Sequence, residues 1–183
     1  NGARATRLLK TDPIAFTQGV QRMNPGLIVL SYGANELFDD NLDPKRYAKA
    51  LDKVLTQTRA ATPMADCLMT GPPDMLKRKA PIPLTAKVYE IQRALADAHG
   101  CAYWDAQAAM GGAGSIRRWR REKLARRDFV HLTRDGYAKL GEALIGSGEL
   151  PLAEKVLEQA IQPSCYRKGG RYTWFYLFKA MAE

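Results

Sequence analysis

Several things are scarce in this chain of 183 residues, and each scarcity excludes something. No apolar run approaches the ~20 residues that a helix needs to cross a bilayer, which excludes a helical membrane span. Only three cysteines occur, Cys67, Cys101 and Cys165. None stands in a CxxC or Cys/His metal spacing, so zinc and redox motifs are excluded, and the odd count gives no disulfide framework. Cys67 and Cys101 lie in apolar runs and read as small core residues, which leaves the redox compartment undecided. Histidine is limited to His99 and His131. The chain opens on Asn1 with neither an initiator Met nor a signal-peptide pattern, and is expected to be a piece of a longer protein. That start removes the usual sequence evidence on export.

What is present reads as soluble and globular: 46% hydrophobic and 26% charged residues, in a length that suits one α/β domain with a real core. Acid is in deficit, with 19 Asp and Glu against 28 Lys and Arg, for a net charge of +9. Part of the excess is local. Arg117, Arg118, Arg120, Arg121, Lys123, Arg126 and Arg127 are opposed within their segment by Glu122 alone. Such a run can attract nucleic acid, acidic polysaccharide or anionic lipid; the plainer reading is a solvated helix face beside a functional loop. Trp119 is its single aromatic, so the stacking platforms of single-strand binders are missing and nucleic acid is not the expected partner.

Strand and helix signals alternate along the chain. After a helix in the first segment, Asn24-Pro25 breaks the pattern. Gly26 to Tyr32 is then a short apolar run that predicts a buried parallel strand, ending at Gly33-Ala34-Asn35-Glu36. Asp43 and Pro44 suit the N-cap and first position of a helix whose apolar face is Tyr47, Leu51, Val54 and Leu55; Pro63 stops it. Ala65 to Thr70 is a second strand, and the stretch to Pro83 a loop. A helix from Thr85 carries Val88, Ile91 and Leu95 and closes at His99-Gly100. His99 there faces the negative end of the helix dipole. Cys101 to Trp104 is a third strand. Gly111, Gly112 and Gly114 predict a mobile loop, and Thr133 a cap for the helix carrying Tyr137, Leu140 and Leu144. This alternation implies a parallel sheet with helices on both faces, and ligands in such folds bind beyond the C-terminal strand ends. Residues 1–146 form that domain. From Ser147 the character changes, and residues 147–183 read as a helical C-terminal extension.

Three sites carry candidate chemistry. Asp128 and His131 form an Asp-x-x-His pair before a helix; a carboxylate three residues away can hold one imidazole nitrogen and turn the other toward a nucleophile. Alone, the pair is a weak signal and reads more readily as an acid and a histidine on a surface turn. Asn35 follows a strand, where its amide N–H can point into the crevice at a developing oxyanion; alone, it could be a turn residue that tolerates left-handed backbone. Gly2, just before a helix, would let a substrate approach its backbone N–H, or be an ordinary turn. Glu36 with Asp39-Asp40 could suggest a cation site, but without further ligands at suitable spacing they read as solvated loop acids.

The three segments occur in one order: Asn1-Gly2-Ala3-Arg4-Ala5, then Ser31-Tyr32-Gly33-Ala34-Asn35-Glu36, then Asp128-Phe129-Val130-His131-Leu132-Thr133. In that order and spacing they resemble the SGNH (GDSL-like) hydrolases over about residues 1–145. Gly111-Gly112-Ala113-Gly114-Ser115 with Trp119, and the run from Val130 to Tyr137, are most similar to the carbohydrate and peptidoglycan O-acetylesterase branch. The resemblance implies a three-layer flavodoxin-like parallel sheet and a serine esterase acting on small acyl esters, such as acetyl on a carbohydrate. It implies Asp128 and His131 as catalytic partners, and Gly2 and Asn35 as oxyanion donors. It implies no metal or cofactor, and an envelope or secreted setting.

The departure is at the nucleophile. The family's Gly-Asp-Ser block lies ahead of its glycine block, on the first strand, and is expected upstream of Asn1. Ser31, Ser115, Ser147 and Ser164 are not in that block. The sheet is therefore expected to lack its first strands and to present an apolar edge at Leu27–Leu30, leaving the 183-residue chain inactive and poorly stable by itself. The competing reading is a catalytically inactive hydrolase-fold module that binds an acidic polymer through the Arg117–Arg127 segment. Substrate, oligomeric state and the choice between hydrolysis and acyl transfer are not legible.

Overall fold

The computed structural model of the protein describes residues 4–146. The extension expected over 147–183, and Gly2, lie outside the described residues. Helices α1 (Ala5–Leu8) and α2 (Pro13–Met23) precede β1 (Leu27–Ser31); α3 (Ala34–Leu37) and α4 (Pro44–Ala61) lead to β2 (Asp66–Thr70); α5 (Thr85–Ala98) leads to β3 (Ala102–Trp104); α6 (Ala106–Met110), α7 (Ser115–Arg121) and α8 (Arg134–Gly146) follow. The three strands pair in parallel in the order β1-β2-β3, as the alternation of strand and helix signals predicts.

The side chains of each strand divide between two faces. Ile28, Leu30, Cys67 and Met69 pack with Tyr47, Leu51, Val54 and Leu55 of α4 and Val88 of α5. Leu27, Leu68 and Trp104 face the other way, onto Ala106 and the half-buried Leu140, Ala143 and Leu144 of α8. Helices thus cover both faces, and the near-continuous apolar composition of β1 follows from that double burial. Leu51, Val54 and Leu55 are fully excluded from solvent, each such burial being worth ~1.5–3 kcal/mol. Local signals agree with the packing. The Asp43 carboxylate accepts from the Lys45 and Arg46 N–H groups ahead of Pro44, and Asn24 ends α2 in the left-handed region at φ 42°.

Two expectations are refined. Cys67 and Cys101 do lie in the core, but they are joined by a disulfide where the cysteine count offered no disulfide framework. Register explains it: Leu68 stands opposite Ala102, so the preceding residues of the two strands are neighbours, which an odd cysteine count did not reveal. The glycine-rich stretch, expected as a loop, is the short connection between two helix ends. Gly111 closes α6 and Gly114 opens α7, both with left-handed backbone, and the Gly112 N–H donates to the Gln107 carbonyl at 2.8 Å.

Beyond the strand ends the loops have a core of their own. Leu76, Met110, Ile116, Trp119, Ala125 and Leu132 are buried together, and the Trp119 indole N–H donates to the Met110 carbonyl at 3.0 Å. That cluster anchors the segment leading to His131.

Candidate active site

β1 delivers its C-terminal turn to the edge of the sheet. Gly33 is buried there with φ 106°, and a Cβ would collide with the Gln92 side-chain nitrogen. A left-handed backbone and a crowded neighbour both demand glycine. Gln92, itself fully buried, donates to the Tyr32 carbonyl at 2.7 Å and to the Tyr47 hydroxyl at 2.9 Å, holding the strand end from below. Burial, and secondarily the charge of Glu36, pushes the Tyr47 hydroxyl far above its ordinary pKa, so it stays a neutral partner. Asn35 follows in the first turn of α3 and is exposed.

Glu36 departs from its expected role. It is buried, not a solvated loop acid. One carboxylate oxygen accepts from the Ala5 N–H at 2.7 Å and the other from the Gly33 N–H at 3.0 Å. It therefore ties α1, three residues after Gly2, to the turn that carries Asn35. Asp39 and Asp40 hold Arg4 at 2.6 Å and Lys77 at 2.5 Å. Among the described residues no group of acids, histidines and cysteines could hold a metal ion.

Asp128 and His131 are brought together. His131 Nδ1 lies 2.9 Å from Asp128 Oδ2, while Asp128 Oδ1 accepts from the backbone N–H groups of Val130 at 2.9 Å and His131 at 3.0 Å. Partial burial raises the Asp128 pKa, but the hydrogen bonds from His131 and Val130 outweigh it and hold the carboxyl down at about 2. The turn is tight enough to force Phe129 to φ 58°, an uncommon conformation for an aromatic residue. Around it, the Arg126 N–H donates to the His131 carbonyl at 2.8 Å and the Thr133 N–H to the Leu124 carbonyl at 2.9 Å. With Nδ1 engaged by Asp128, Nε2 is the nitrogen left for a nucleophile.

The β2–α5 loop links this pair to the Asn35 turn. Lys77 donates to the Phe38 carbonyl at 2.9 Å, and the preceding Leu76 N–H donates to the Phe129 carbonyl at 2.9 Å. In the same loop Asp74, buried, accepts from Gln107 Nε2 and the Ile116 N–H, each at 2.8 Å. Sequence reading missed Asp74, whose partners lie 33 and 42 residues away. Glu36 had a signal: an acid at the third position of a helix can reach back to the N-cap N–H. His99 Nε2 lies 2.8 Å from Asp52, fastening α5 to α4 away from the site.

The family model of the GDSL-like lipase/acylhydrolase family matches residues 1–139. The chain belongs to this family. Among solved structures, this GDSL-like chain is similar to a peptidoglycan O-acetylesterase at 30% identity and a TM-score of 0.68, covering 84% of this chain and 45% of that one. It thus spans less than half of that relative. It also shares the fold of a lipase/acylhydrolase from Enterococcus faecalis (17% identity, TM-score 0.60, covering 80% of this chain and 70% of that one). An acetyl xylan esterase is similar to the same degree (17%, 0.58, covering 80% and 77%). No curated protein matches the sequence. Family and fold are those that the three ordered segments predict, and ester hydrolysis is the chemistry of the family.

Proposed function

We propose that the protein is a serine esterase that removes small acyl groups, acetyl foremost, from a carbohydrate, and that its nucleophilic serine lies upstream of Asn1. The observation that carries this is the 2.9 Å contact between His131 Nδ1 and Asp128 in an acylhydrolase-family chain. The likeness to a peptidoglycan O-acetylesterase supports the acyl group and the carbohydrate. Ser115 is buried and turned toward Asp74, which does not suit a nucleophile for His131.

In this mechanism the serine Oγ attacks the ester carbonyl while its proton passes to His131 Nε2. Asp128 holds the imidazole in that tautomer and stabilises its cation. The Gly2 N–H and the Asn35 amide receive the oxyanion. Collapse expels the alkoxide, which takes the proton from His131, and leaves an acyl-serine. Water, deprotonated by His131, then releases the acid. An acceptor sugar in place of water would make the same site an acyltransferase, and product analysis with and without acceptor distinguishes the two. The disulfide suits an oxidising compartment, in keeping with an envelope or secreted setting.

The decisive experiment treats the longest natural form of the protein with a fluorophosphonate and maps the labelled peptide. A labelled serine ahead of Asn1, lost in His131→Ala, is expected; Asn35→Ala should lower kcat by ~10²–10³. No labelling, or both variants retaining normal turnover, would refute the esterase and leave the inactive binding module. Residues 1–183 by themselves are expected to be inactive; high turnover from that chain would defeat the upstream assignment.

A further inference from the structure

The fold decides where the excess charge of this chain lies. Lys77, Arg78 and Lys79 form a turn closed by reciprocal backbone hydrogen bonds between Lys77 and Ala80, both 2.9 Å. The Arg117 guanidinium donates to the Lys79 carbonyl at 2.7 Å, joining this turn to the basic segment 117–127. Both are joined to the Asp128–His131 loop, the turn by the Leu76–Phe129 hydrogen bond at 2.9 Å and the segment by the Arg126–His131 one at 2.8 Å. The two segments hold ten of the 28 basic residues and one acid, Glu122; the remainder of the chain has 18 basic and 18 acidic residues, so the whole net charge of +9 arises from fourteen positions beside His131.

Neighbouring acids do not cancel this charge. Glu122 is shared between Arg118 at 3.8 Å and Lys139 at 3.9 Å. Asp40 is taken by Lys77 and Asp128 by His131. Arg78, Lys79, Arg121, Arg126 and Arg127 are exposed and form no ion pair among the described residues. Arg78 and Lys79 are held at φ 51° and 66°, an uncommon backbone conformation for residues other than glycine.

We propose that this rim is a subsite for an anionic polysaccharide, so that the esters cleaved at His131 are carried on a glycan bearing carboxylate groups. The inference rests on the esterase reading and adds the substrate class. A polymer held on this rim is held next to the loop that carries the reacting histidine, to which the rim is tied by the Leu76–Phe129 and Arg126–His131 hydrogen bonds. The repeating backbone of nucleic acid is a phosphodiester, so it does not present carboxylic esters along its length as an O-acetylated glycan does. The one aromatic of the segment, Trp119, is buried and offers no stacking platform.

The full-length protein, serine included, would be assayed on O-acetylated polygalacturonate, on an O-acetylated neutral glucan and on p-nitrophenyl acetate. The expected result is a kcat/KM for the acidic polymer that falls about tenfold or more between ~50 and ~200 mM salt, with the neutral substrates little affected. In Arg78→Gln/Lys79→Gln and in Arg126→Gln/Arg127→Gln, the ratio of kcat/KM for acidic over neutral polymer should fall severalfold, through KM. Retention of the His131→Ala protein on immobilised polygalacturonate, lost at high salt, reads the rim without turnover. Equal salt dependence for all three esters, a ratio unmoved by both double variants, or tighter retention on DNA than on polygalacturonate would overturn the proposal. Failure to cleave any of the three would instead sink the esterase reading and the proposal with it.

Discussion

Asp128 accepts three hydrogen bonds in a turn of four residues, and that crowding of donors makes its charge a measurable quantity. Its folded-state pKa is depressed to about 2, against an ordinary value near 3.9. A depressed carboxylate stabilises the fold fully above its unfolded pKa and loses that contribution as pH falls through the folded one. Between about pH 4 and pH 2 the wild type should therefore lose stability that Asp128→Asn lacks throughout. Because both side chains are about half exposed, the effect is small; chemical-shift titration of the carboxylate reads it directly, and a midpoint near 4 would contradict the geometry. Glu36 gives a larger effect. Glu36→Gln keeps the size but turns one amide NH₂ toward a backbone N–H, and should cost ~1–3 kcal/mol in urea unfolding. The Asp128–His131 pair was legible because three residues of spacing place both on one turn. The burial of Glu36 was not, because it depends on α1 folding over a residue 31 positions later.

At the scale of elements, the fit between α8 and the preceding loop controls the site. A Cβ on Gly136 would run into the Leu124 carbonyl oxygen, a hard overlap with backbone, and the same oxygen accepts the Thr133 N–H two residues after His131. Gly136→Ala is expected to destabilise the protein by ~1–3 kcal/mol through this overlap, and to lower turnover of the full-length enzyme by displacing His131. Unchanged urea midpoints would show that α8 moves away freely. The Cys67–Cys101 bridge spans 34 residues and contributes ~2–4 kcal/mol by restricting the unfolded chain. Both cysteines should resist alkylation until reductant is added, and the melting temperature should drop with it. Caps and helix faces were readable locally: Asp43 with Pro44, and the Tyr47–Leu55 stripe, need only their own neighbours. The disulfide needed the register of two strands.

For the molecule as a whole, β1 pairs with β2 on one side and has no second partner among the described residues. The apolar sequence of the strand and the ordered Gly, Asn, Asp and His segments determined the fold class and the family, because period and spacing survive in a linear text. The positive excess was also visible as a number. Only the tertiary structure decided that Glu36 joins two segments, that Cys67 meets Cys101, and that the turn at residues 77–79 joins the basic segment next to His131. Those outcomes depend on contacts between residues separated by tens of positions, which packing of helices on both faces of the sheet brings together and no local pattern encodes.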